Sequence, residues 1–144
     1  MNKVLLVSVC AWAIAQAMKT LIVLIRKRRL DFSYFVSGGM PSSHSATVSA
    51  LATSVAMVEG FESVAFGITA ILALVVMYDA AGVRRWVGRQ SIVLNRITQE
   101  IRFRRPVAEL EHDLREFVGH TPFQVIIGTA LGIIVAWVWF TIAP

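Results

Sequence analysis

The sequence predicts an all-α integral membrane protein, a helical bundle of about four transmembrane helices plus one or two interfacial amphipathic helices. Hydrophobic residues make up 56% of the 144 residues, and the mean hydropathy is +0.67. The apolar residues fall in long blocks separated by basic segments, which is typical of membrane-spanning helices. The length suits a single membrane-embedded domain over residues 1–144.

The net charge of +5 is better explained by lipid head groups and a positive-inside bias than by nucleic acid, because the basic residues lie between the apolar blocks. The chain has one cysteine, Cys10, so an intrachain disulfide and a cysteine metal cluster are both excluded. We therefore expect membrane lipids as partners and no nucleic acid.

The first apolar block, residues 4–25, is long enough to cross a bilayer core of roughly 30 Å. Its alternative is a signal peptide, with a cleavage site of small residues at Ala15–Ala17. The apolar character continues to Ile25, and the basic run follows the block. Both features favour a retained transmembrane helix.

Lys19 lies inside this first block, where a cation is costly. Helical spacing places it on one face with Gln16 and Arg26. The side chain either extends to the membrane interface or belongs to a polar face in the interior of the bundle, and the sequence leaves both interpretations open.

The segment Gly38–Ala46 predicts a loop that leads into a helix. We expect Pro41 in the first helical turn and Ser42 and Ser43 as capping residues. Exposed amides at a helix N-terminus bind anions, and His44 adds a group that can donate a proton near neutral pH. The alternative is an ordinary serine-capped helix.

The remaining blocks predict further spans over residues 46–58, 64–77 and 123–143. Residues 86–103 and 107–117 carry apolar residues at helical spacing and predict the amphipathic helices. In the last span, small residues at Gly128 and Gly132 suit close helix contact, and we expect them to support a homodimer. Trp137 and Trp139 are expected as interface anchors.

The loops 26–43 and 81–119 are rich in Lys and Arg, whereas the turn 59–63 carries two acids and no base. The positive-inside rule then places both basic loops in the cytoplasm and both termini outside. With this topology, we expect the same face of the membrane to carry Arg26, His44, Arg84, Arg85 and His120. Cations and histidines near serine-flanked amides suit a phosphate ligand.

Three motifs carry a resemblance to a known family: Lys19-x6-Arg26, Pro41-Ser42-Ser43-His44 and His120-x3-Gln124. Together they resemble the signatures of the type 2 phosphatidic acid phosphatase and vanadium haloperoxidase superfamily. The fuller strings GGMPSSHSA, MYDAAGVRR and GHTPFQV are similar to its small divergent bacterial and plastid branch.

The resemblance implies that His120 is the nucleophile, forming a phosphohistidine, and that His44 protonates the leaving alkoxide. Lys19 and Arg26 would bind the phosphoryl oxygens, together with the amides around Ser42 and Ser43. We further expect Arg84 or Arg85 to supply an additional phosphate contact, and Asp79 and Gln124 to be supporting residues. The resemblance implies no metal and no cofactor.

The sequence also departs from the family pattern at several positions. Lys27 replaces a proline, Ser43 replaces a glycine, and Leu114 replaces an arginine, with Arg115 one place away. Gln124 stands where a carboxylate would orient the nucleophile. Asp79 is either a compensating acid or a helix-terminal acid paired with an arginine.

The resulting hypothesis is a lipid phosphatase of the bacterial inner membrane with its site on the cytoplasmic face. Its substrate is a phosphorylated lipid, a phosphomonoester of the phosphatidic acid or phosphatidylglycerol phosphate type. The alternative is a catalytically inactive phosphate-lipid binding or transport protein, favoured by Gln124. A small structural membrane protein explains the spans, but it does not explain Lys19 or the two histidines.

Overall fold

The computed structural model of the chain describes residues 2–27, 39–82 and 121–142, together with positions 90 and 93. In order along these residues, the helices are α1 (Lys3–Lys27), α2 (Ser43–Glu59), α3 (Val64–Ala81) and α4 (Pro122–Ile142). The all-α prediction is confirmed for this part of the chain. The predicted amphipathic helices fall almost wholly outside the described residues.

Three helices in the described ranges are long and apolar enough to cross a membrane, through the segments Lys3–Ile25, Val64–Ala81 and Pro122–Ile142. Helix α2 has 17 residues and is rich in Ser, Ala and Thr, so it is not one of the candidate spans. The prediction of four spans is therefore not confirmed. The length of α2, about 26 Å, and its small residues suit a helix enclosed by the others.

Helix α2 occupies the centre of the described bundle, where it packs against α1, α3 and α4. One apolar cluster joins Val7 and Ala11 of α1 to Ala50 of α2 and Ala136 of α4. Most of the buried residues of α2 are serine or alanine, which lets neighbouring backbones approach closely. Larger apolar side chains, such as Ile68 of α3, point outward, as expected in a lipid environment.

Gly128 and Gly132 form the contact between α4 and α2. A Cβ added at Gly132 would overlap the Ser49 hydroxyl and lie 2.9 Å from the amide nitrogen of Ala50, and one at Gly128 would overlap the Ser42 carbonyl oxygen. The expectation that this pair supports a homodimer is wrong, because both glycines are used within the chain. A homodimer through another surface stays a prediction.

The connection between α2 and α3 is a tight turn, as the acidic segment 59–63 predicts. Gly60 adopts a φ of 86° and donates its amide hydrogen to the Ala56 carbonyl oxygen. Ser63 then caps α3 by accepting from the Phe66 amide at 3.1 Å. At the far end of α4, Trp137 is exposed, as an interface anchor would be, whereas Trp139 packs against the apolar cluster instead.

Candidate functional site

Lys19 is enclosed by protein, with only 5% of its surface exposed. It lies on the face of α1 that also buries Val7, Ala11 and Ala15. It is six residues, about 9 Å along the helix, before the end of the apolar segment at Ile25. The side chain of Lys19 is therefore enclosed inside the bundle and does not lie on its outer surface.

The Lys19 side chain lies against Gly39, in the turn that precedes α2. A Cβ built on Gly39 would be 2.7 Å from Cε, 3.1 Å from Cγ and 3.2 Å from Cδ of Lys19. The aliphatic part of the lysine thus runs across the space that a side chain at position 39 would occupy. This contact places the motif Lys19-x6-Arg26 beside the turn that leads into the motif Pro41-Ser42-Ser43-His44.

The turn ends at Ser42, which caps α2. The Ser42 hydroxyl oxygen accepts from the Ser45 amide at 3.4 Å and from the Ser45 hydroxyl at 3.0 Å. Pro41 was expected in the first helical turn, and that expectation is wrong. Pro41 is buried one residue before the cap, and its peptide bond with Met40 is cis.

Ser42 also ties the turn to α4, because its amide donates to the Gln124 carbonyl oxygen at 3.2 Å. The Ser42 amide is therefore bound to protein, which corrects its expected role as a phosphate donor. The amides of the first turn of α2 begin with Ser43, and a helix supplies no acceptor of its own to them. The helix dipole adds positive potential at this end.

Gln124 takes part in a capping box at the start of α4. Its side-chain Oε1 accepts from the Thr121 amide at 3.0 Å, and the Thr121 hydroxyl accepts from the Gln124 amide at 3.4 Å. The sequence signal was present, as Thr121-x-x-Gln124 fits the Ser/Thr-x-x-Glu/Gln pattern, although no capping box was predicted at this position. Since the Thr121 amide belongs to the peptide bond with His120, the box holds the backbone next to the expected nucleophile.

His44 is the second residue of α2 and is exposed, whereas Asp79 is half-buried in the last turn of α3. The Thr129 hydroxyl lies 2.9 Å from the Met77 sulfur, so the end of α3 that carries Asp79 packs beside α4. Within the described ranges, no group of three His, Cys, Asp or Glu side chains is placed to hold a metal ion.

The described residues thus bring together Lys19, the turn Gly39–Ser42 and Gln124. The structure adds two residues to the site: Gly39 through its contact with Lys19, and Thr121 through its hydrogen bonds with Gln124. His120, Arg84, Arg85 and Arg115 lie outside the described residues, as does the side chain of Arg26, whose backbone belongs to α1. Their expected roles stay predictions.

Comparison with known proteins gives one family and one relative. A family model described as "Divergent PAP2 family" matches residues 1–135. A protein of Bacillus subtilis (strain 168), described as "Uncharacterized membrane protein YuiD", is 42% identical over 149 residues, covering 95% of this chain and 93% of the relative. No solved structure matches the chain significantly.

Proposed function

Because the chain belongs to the Divergent PAP2 family and is a membrane protein, we propose that it is a lipid-phosphate phosphatase. It hydrolyses a phosphomonoester of the phosphatidic acid or phosphatidylglycerol phosphate type. The observation that carries the proposal is the junction of a buried lysine with the capped start of α2 and the first turn of α4. A cation beside a helix N-terminus suits a phosphate ester.

The proposed reaction proceeds in two steps. An imidazole nitrogen of His120 attacks phosphorus, and the bond between phosphorus and the lipid oxygen breaks. His44 donates a proton to that oxygen, so the lipid leaves as an alcohol. Water then hydrolyses the phosphohistidine and releases inorganic phosphate.

The positive groups stabilise the charge on the transferring phosphoryl group. Lys19 and Arg26 supply side-chain cations, and either Arg84 or Arg85 supplies another. The first-turn amides of α2 add fixed dipoles that need no reorganisation during the reaction. Asp79 and Gln124 have supporting roles.

We place the site at the cytoplasmic face of a bacterial inner membrane. The support is the concentration of Lys and Arg in the loops 26–43 and 81–119, set against the two acids of the turn 59–63. A site on this face meets lipid phosphates of the inner leaflet.

A second candidate is a protein that binds the phosphate lipid without hydrolysing it. The observation that favours it is the hydrogen bond from the Thr121 amide to Gln124 Oε1. That oxygen serves a helix cap, and an amide in place of a carboxylate brings no negative charge to stabilise a histidine that gains positive charge.

Purified protein in lipid nanodiscs tests the two candidates. We expect inorganic phosphate release from phosphatidic acid or phosphatidylglycerol phosphate, and loss of that release in Lys19→Met, which keeps the length of the side chain but removes its charge. Saturable binding of these lipids without phosphate release would contradict the enzyme and support the binding protein.

A further inference from the structure

We propose that Gly39 is a positioning residue whose lack of a side chain sets the place of the Lys19 ammonium group. The inference rests on the proposed phosphate-handling site. It adds a residue that carries no chemistry of its own and lies outside the expected set of cations, histidines and amides.

The geometry of the contact carries the proposal. Three consecutive methylene carbons of Lys19 lie within 3.2 Å of the point where a Cβ at position 39 would sit, with Cε nearest at 2.7 Å. A contact with the terminal carbon alone would be relieved by rotating one bond. A contact along three carbons displaces the whole side chain and, with it, the ammonium group.

The turn itself is held from the other side, so it does not yield easily. Its amide at Ser42 is bonded to the Gln124 carbonyl oxygen at 3.2 Å. Gly128 of α4 packs directly against the turn, because a Cβ at position 128 would overlap the Ser42 carbonyl oxygen. Because the turn is fixed against α4, a methyl group added at position 39 displaces the Lys19 side chain and not the turn.

The displacement matters because Lys19 acts within a buried, apolar segment. Charge interactions are stronger at low dielectric than in water, and a misplacement of about 1 Å in a site can cost roughly 100-fold in rate. A lysine at the surface would recover by choosing another rotamer, but Lys19 is 5% exposed.

The experiment is a double-mutant cycle in nanodiscs with wild type, Gly39→Ala, Lys19→Ala and the double variant. We measure phosphatidic acid binding and thermal unfolding in all four proteins, and kcat and KM in wild type and Gly39→Ala, because variants at Lys19 are expected to lose turnover. Gly39→Ala is expected to weaken binding or reduce kcat/KM by roughly 10–100-fold. The same substitution is expected to change little in the Lys19→Ala background, which lacks the three methylenes.

Gly67→Ala is the matched control, because a Cβ at Gly67 meets nothing within 4 Å, and it should behave as wild type. Equal losses from Gly39→Ala with and without the Lys19 side chain would overturn the proposal. So would coupling between the two positions in thermal unfolding alone, with binding and turnover unchanged, because the contact would then be structural.

The binding measurement separates this proposal from the proposed function. If wild type binds phosphatidic acid but releases no phosphate, the phosphatase hypothesis fails, and the positioning role of Gly39 is still decided by the cycle in binding. If Gly39→Ala alone fails to fold, the proposal is judged by Gly39→Ser in the Lys19→Ala background, where loss of the residual binding would overturn it.

Discussion

The backbone amide of Ser42 donates a hydrogen bond of 3.2 Å to the backbone carbonyl oxygen of Gln124. Two motifs that lie about 80 residues apart in the sequence are thus joined by main-chain atoms. The close approach depends on Gly128, one turn further along α4, because any side chain there would meet the Ser42 backbone. The site therefore depends on packing between α2 and α4 as well as on its charged side chains.

The two histidines are expected to respond differently to substitution. His120→Ala should abolish phosphate release and any acid-labile phosphoenzyme. His44→Ala should lower turnover of lipid substrate by roughly 10²–10⁴-fold, the usual worth of general acid catalysis. A nitrophenyl phosphate, whose leaving group needs little protonation, should be partly spared. Phosphate release from both substrates measures the difference.

Variants at Lys19 and Arg26 are the controls for the histidines. Both side chains are expected to act on the phosphoryl group, so their loss should lower turnover of lipid and nitrophenyl substrates together. A His44→Ala variant that loses both substrates equally would contradict its assignment as the acid.

The capping box predicts how Gln124 tolerates substitution. Thr121→Ala should lower the stability of the folded protein by roughly 1 kcal/mol, the usual worth of an N-cap residue, and Gln124→Ala, which removes the acceptor of the Thr121 amide, should cost less. Gln124→Glu should be neutral or stabilising, since Glu serves the same box and its charge suits a helix N-terminus. Thermal unfolding in detergent measures all three, and Thr121→Ala combined with Gln124→Ala should cost less than the sum of the single losses.

The same variants separate the proposed enzyme from the binding protein. In an enzyme, Gln124→Glu is expected to keep or raise turnover, because the added charge favours a positively charged histidine. A wild type without turnover that gains phosphate release on Gln124→Glu would support the alternative function instead.

The glycines of α4 predict a packing defect. Gly132→Ala should destabilise the protein by about 1–3 kcal/mol, the range for overpacking a close contact, because the added Cβ meets the Ser49 hydroxyl and the Ala46 carbonyl oxygen. Gly67→Ala, in open space on α3, should be neutral or stabilising by up to about 1 kcal/mol through helix propensity. Equal effects at the two positions in thermal unfolding would refute the packing argument.

The charge asymmetry of the loops predicts the orientation in the membrane. In a Cys10→Ser background, a cysteine at Glu62 should react with an impermeant maleimide from outside intact cells. A cysteine at Gly88, in the basic loop 81–119, should react after the membrane is opened. Labelling of Gly88→Cys from outside, with Glu62→Cys labelled only after the membrane is opened, would indicate that the site lies on the outer face.

The helical membrane class follows from the amino-acid sequence alone, because a helix is the structure that satisfies the backbone hydrogen bonds of a long apolar block in lipid. The sequence also indicated Lys19 and the helix that starts beside Ser42, since a cation in an apolar segment and a serine cap are local signals. The capping box of Thr121 and Gln124 was equally local and could have been found from spacing alone.

Features that depend on contacts between distant segments could be read only from the folded chain. The enclosure of the Lys19 side chain by protein is seen only in the folded chain, where it packs against Gly39. The use of Gly128 and Gly132 within the chain followed from the fit of α4 against α2. Spacing places these residues on a face but does not name their partner, because any close-packed helix satisfies the same small-residue pattern.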